Sequence, residues 1–222
     1  MAERGARAKR APLSRERIVT AAMALADEKG EAGVTMRAVA ARLGVEAMSL
    51  YNHVARREEL LGGMVDRVFG EIELPASTND WKQALRDRTN SARTVLRRHP
   101  WAVSLMDSGK ATGPALLRHH DAVLGALRAG GFSVAMATRA FSVIDSYLYG
   151  FVIQEVSLPF ANSAELEEVA GDLAQELPAD TYPHLAEVVA GQLLAPGYDP
   201  DAEFAFGLEL ILGALQPDDV ES

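Results

Sequence analysis

The chain contains no cysteine, which excludes disulfide staples, thiol chemistry and Cys-ligated zinc. No secretory signal is expected, because the N-terminus is rich in Arg and Lys but lacks a hydrophobic h-region. Its most hydrophobic stretch, residues 140–160, is interrupted by Asp145, Gln154 and Glu155, so no membrane span is expected. HExxH, P-loop, GxGxxG and GxSxG patterns are all missing. His119-His120-Asp121 could hint at a metal site, and Asp107-Ser108 with His99 at a hydrolase fragment. Adjacent histidines on a helix point about 100° apart, however, and make no chelating pair by themselves. These absences leave no catalytic residue, metal or cofactor to nominate, and a cytoplasmic protein is the default expectation.

Charge is present but unevenly spread. Residues 1–70 hold 12 basic and 9 acidic side chains (+3), whereas the remainder holds 10 and 22 (−12). The basic excess lies where a polyanion could be met, with the acidic part held away from it. Residues 1–13, with Arg4, Arg7, Lys9 and Arg10, read as a disordered basic arm, either a solvated tail or an added phosphate contact.

The richest stretch is 34–54, VTMRAVAARLGVEAMSLYNHV. Thr35 is a good N-cap, and Val39, Ala40 and Leu43 follow at helical spacing. Gly44 stands where a tight turn needs positive φ. Val45 and Leu50 then point inward, leaving Ala47, Met48, Ser49, Tyr51, Asn52 and His53 outside. Two short helices and a tight turn with such a polar and aromatic outer face fit a helix-turn-helix, whose second helix enters a DNA major groove. The plain alternative is an ordinary αα-hairpin. A helix capped by Ser14 precedes the motif, with Ile18, Ala21, Ala22, Leu25 and Ala26 in stripe; a helix with Leu60, Leu61, Met64, Val65, Val68, Phe69 and Ile72 follows it.

From Ser14 to about Ile72 the chain resembles the DNA-binding domain of the TetR family of one-component repressors. Thr35, Arg37, Ala40, Leu43, Gly44, Val45, Leu50, Tyr51, His53 and Val54 carry the likeness. Phosphate contacts are expected mainly from Tyr51 and His53, with Arg37 and Arg57 as flanking clamps, and Thr35 is counted among the DNA-binding residues. Base contacts are expected from Ala47, Met48, Ser49 and Asn52.

A composition break at 74–79 marks a hinge, giving a head at 14–73 and a second domain at 79–216. Beyond it all periodic segments are helical, at about 79–98, 101–108, 113–129, 133–157, 164–176, 183–194 and 200–215. The fold class is all-α. Asp80-Trp81, Arg98-His99-Pro100-Trp101 and Ala129-Gly130-Gly131-Phe132-Ser133 resemble the regulatory domain of the tetracycline-repressor branch, as does the run from Ala202 to Ile211.

That resemblance implies a homodimer joined by helices at about 133–157 and 200–215. On the second of these, Phe204, Leu208, Ile211 and Leu215 form one stripe and Phe206, Leu210 and Ala214 another. Phe204, Phe206, Leu208, Leu210 and Ile211 are the interface candidates. It also implies a small-molecule effector. Where that branch has histidines and a glutamate for drug and magnesium, this chain has Glu73, Met106 and Gln154. The expected ligand is therefore mostly apolar and needs no metal. Pocket candidates are Phe69, Leu105, Met106, Phe141, Tyr147 and Phe151, with Asn90, Asp145 and Gln154 as polar anchors. The expected function is a ligand-responsive repressor on double-stranded operator DNA. A small all-α enzyme and a helical adaptor that binds no DNA are the alternatives.

Overall fold

The computed structural model describes residues 12–76, 80–106, 113–158, 163–193 and 199–218. Among them there is no strand, and no helix is long and apolar enough to cross a membrane. The basic arm up to Ala11, and Asp107 with Ser108, lie outside the described residues.

The head begins with α1 (Arg15–Lys29). Ser14 caps it, its hydroxyl accepting from the Arg17 amide at 3.3 Å. Gly30 ends it at φ +69°, and a 3-10 turn over Glu31–Gly33 leads on. Thr35 caps α2 (Met36–Leu43) by accepting from the Ala38 amide at 3.1 Å. Gly44 then adopts the left-handed conformation, φ +67° and ψ 41°, which a side chain would strain. Its amide and that of Val45 close the turn onto Ala41 and Ala40 carbonyls. The second helix of the motif, α3 (Ala47–Leu50), is a single turn, followed by α4 (Arg57–Phe69). Ile18, Ala22, Val39, Leu50, Leu60 and Met64 are buried in its core.

The remaining helices are α5 (Trp81–Arg98), α6 (Trp101–Met106), α7 (Pro114–Ala129), α8 (Val134–Ser157), α9 (Ser163–Glu176), α10 (Pro183–Val188) and α11 (Pro200–Ala214). The expected helix over 183–194 is in fact α10 followed by a π turn over Val189–Leu193, at the start of which Val189 is buried.

The chain divides into two compact units. The first joins the described residues up to Glu73 with Thr94–Asp121; the second joins Leu74–Arg93 with the described residues from Ala122 onward. The break after Glu73 coincides with the composition break. The other two breaks fall inside α5 and α7, and no breaker residue announces them.

Candidate nucleic-acid interface and regulatory site

The outer side of the helix-turn-helix follows the periodicity in part, with Val45 half-buried where the sequence predicts it to point inward. Leu50 and Val54 are fully buried and hold the motif to the head, whereas Thr35, Arg37, Met48, Tyr51, Asn52 and His53 are exposed. Ala47 and Ser49 are half-buried. Arg57 is placed differently from a free clamp. Its Nε donates to the Val34 carbonyl at 3.0 Å and its Nη2 to the Glu31 carboxylate at 3.0 Å. It braces the start of α4 against the loop ahead of α2. Arg56, one residue earlier, is exposed.

Within the same unit, three carboxylates hold the 94–121 segment. Asp27 of α1 accepts from the Trp101 indole N–H at 2.6 Å, and His99 Nδ1 lies 2.8 Å from the same oxygen. Glu71 meets Arg98 at 3.3 Å and His99 Nε2 at 3.5 Å. Asp66 of α4 caps α7, its Oδ1 accepting from the Ala115 and Leu116 amides at 2.7 and 3.0 Å. A Cβ at Gly113 would stand 2.1 Å from the Asp66 carboxyl carbon, so only glycine leaves room for this cap. Phe69 packs against the edges of the His119 and His120 rings, at 5.1 and 5.8 Å between centroids.

The second unit is built on two buried guanidinium groups. Arg88 Nη1 donates to Asp145 at 2.6 Å, and Tyr149 donates to the other oxygen of Asp145 at 3.1 Å. Burial first, and then the Asp145 charge, push the Tyr149 phenol far above its ordinary pKa, so it remains a neutral donor. Arg93 pairs with Glu155 through two bonds, 3.0 and 2.6 Å, and with Asp201 at 2.8 Å. Its guanidinium also lies over the Phe204 and Phe151 rings, at 4.7 and 5.2 Å. Burial works against the charge on Arg93, but the carboxylates outweigh it and its pKa is raised. Tyr147 donates to the Phe204 carbonyl at 2.9 Å, with Gly207 pressed against its ring. These contacts fasten α11 to α5 and α8.

The ligand candidates are distributed over both units. Phe69, Leu105 and Met106 belong to the first; Asn90, Phe141, Asp145, Tyr147, Phe151 and Gln154 belong to the second. Asn90 and Gln154 are exposed. Asp145 is already occupied by Arg88 and Tyr149, and Tyr147 and Phe151 stack around Phe204 and Arg93. The interface candidates separate by helical phase. Phe204 and Leu208 are buried within the chain itself, both at 1% exposure, because their stripe faces inward. Phe206 and Leu210, on the opposite stripe, stand 65% and 60% exposed, and Ile211 is intermediate.

Sequence reasoning did not single out Arg88, Arg93 or Tyr149, and Glu155 enters it only as an interruption of an apolar stretch. A signal existed: Leu85, Arg88, Thr89, Ala92, Val95 and Leu96 follow the i, i+3, i+4 rhythm of the buried side of α5. An arginine in phase with core positions demands a buried carboxylate.

Residues 18–64 match the bacterial regulatory proteins of the tetR family, and residues 74–217 match the tetracyclin repressor-like C-terminal domain. The HTH-type transcriptional repressor DrrR1 of Streptomyces coeruleorubidus is 33% identical, over 96% of this chain and 82% of its own length. The class C tetracycline repressor of Escherichia coli is 28% identical, over 92% and 91%. Among solved structures, apo ActR of Streptomyces coelicolor superposes with a TM-score of 0.75 at 26% identity, covering 91% of this chain and 94% of that one. ActR is also known in complex with actinorhodin (TM-score 0.73, 26% identity, 91% and 96% covered). With a tetR-type helix-turn-helix at one end and a regulatory domain of the tetracycline-repressor kind after it, the chain belongs to the TetR family of transcription regulators.

Proposed function

We propose that the protein is a ligand-responsive repressor that binds a near-palindromic operator as a homodimer in the cytoplasm. The observation that carries this reading is the outer side of the head, where Met48, Tyr51, Asn52 and His53 are exposed together on a firmly capped helix-turn-helix. Tyr51, His53, Thr35 and Arg37 donate to phosphates, while Ala47, Met48, Ser49 and Asn52 meet base edges. With Arg57 engaged inside the head, the flanking clamp passes to Arg56.

Two copies meet through Phe206 and Leu210 of α11 and the outer side of α8, where Val143 and Ile153 are also exposed. Phe204 and Leu208 support that surface from beneath. The two heads then reach successive major grooves, roughly 34–36 Å apart. The effector is a mostly apolar, drug- or metabolite-sized molecule held by the regulatory helices without an obligatory metal. It acts by binding better to a dimer whose heads no longer match that spacing.

Fluorescence anisotropy with duplexes from the DNA flanking the coding region tests the reading. Saturable binding of two subunits per site, reversed by a ligand whose calorimetric binding survives a chelator, is the expected result. Equal affinity for operator and scrambled duplex, or full binding by a monomer, would reject it.

A further inference from the structure

Met48 is the most exposed large apolar side chain among the described residues, at 73%. It sits in the middle of the DNA-facing stretch, and its neighbours share an unusual chemistry. From Glu46 to His53 there is no lysine or arginine. Ala47 offers only a methyl group, and Ser49 a single hydroxyl. Glu46 is exposed and makes no capping bond, so its carboxylate is available only as an acceptor. Guanine presents two acceptors, N7 and O6, in the major groove, and its best partner is a bidentate arginine or lysine. The stretch contains none. Thymine alone presents an apolar group there, its 5-methyl, and an apolar tip is what recognises it. Adenine and cytosine present amino donors, which suit Glu46 and, for adenine, the exposed Asn52.

We infer that Met48, seconded by Ala47, reads thymine 5-methyl groups, so that the one or two base pairs these side chains meet in each half-site are A·T pairs recognised chiefly by their methyls. This inference rests on the operator-binding function proposed above. It makes Met48 a specificity-determining residue whose contribution is apolar contact, with no hydrogen bond of its own.

The test begins with selection of duplexes from a random pool by the full chain. Each thymine of the selected half-site is then replaced by deoxyuridine, which deletes only the methyl. The expected result is a loss of about four-fold in affinity at one or two thymines per half-site, the effect of one methyl leaving a desolvated contact. Met48→Ala should lower operator affinity and abolish the uracil penalty at one of those positions. Its melting temperature should match wild type, since the side chain is exposed. Selected half-sites that tolerate uracil everywhere, or a penalty unchanged in Met48→Ala, would overturn the inference while leaving operator binding intact. A pool from which no sequence is enriched would overturn operator binding itself.

Discussion

One oxygen of Asp27 receives the Trp101 indole N–H at 2.6 Å, joining α1 to α6 across 74 positions of sequence. His99 shares that oxygen at 2.8 Å, so the carboxylate ties both residues at the start of α6 to the head. Asp27→Ala should cost about 1.5–3 kcal/mol, the loss of a hydrogen bond to a charged group with its donor left buried. Asp27→Asn, which keeps an acceptor, should cost less. Denaturant titration followed by Trp fluorescence checks both, and an unchanged midpoint in Asp27→Ala would show the contact to be idle.

The Arg88–Asp145 pair gives a second expectation. Removing one partner strands a buried charge, so Arg88→Met should destabilise by about 3–5 kcal/mol. The triple variant Arg88→Met, Asp145→Leu, Tyr149→Phe removes all three polar groups and should regain most of that loss. Chemical denaturation of the single and triple variants decides this; equal instability in both would contradict it.

The exposed stripe of α11 makes a third. Phe206→Glu or Leu210→Glu should convert the proposed dimer to monomer in sedimentation equilibrium, because a charge would have to be buried in an apolar seam. Neither should unfold the subunit, since both side chains are exposed within it. Phe204→Glu should unfold it. A dimer that survives both surface changes would place the interface elsewhere.

The fourth concerns acid. Arg86 meets Glu209 of α11 at 2.9 Å. That hydrogen bond, opposed weakly by burial, holds the Glu209 carboxyl below its ordinary pKa of 4.5. A lowered folded-state pKa means stability that is complete above the ordinary value and is lost as pH falls through the lowered one. The stability gap between wild type and Glu209→Gln should therefore be widest near neutrality and close in acid. A gap that widens on acidification would reverse the sign and refute the assignment.

Helix positions and the head were legible because they are written locally. Ser14, Thr35 and Gly44 set their caps and turn within a few residues, and each does so in the structure. The two stripes of α11 were legible as well, but not which of them faces inward. That choice depends on Arg93, Glu155 and Tyr147, which seize the Phe204 side from other helices. The engagement of Asp145 by Arg88 was hidden for the same reason, since 57 residues separate the partners. Arg57 read as a free clamp because nothing nearby in sequence reveals Val34 and Glu31 beside it.

The cap that Asp66 lends to α7 has a consequence for modularity. A helix whose first amides are satisfied by a residue 49 positions earlier does not own its beginning. Splicing this head onto a relative's regulatory half at residue 74 would separate donor from acceptor at Asp66, and likewise at Asp27 and Glu71. The compact unit that holds the head also holds residues 94–121, so a swap that keeps these contacts would have to be discontinuous, with boundaries inside α5 after Arg93 and inside α7 after Asp121.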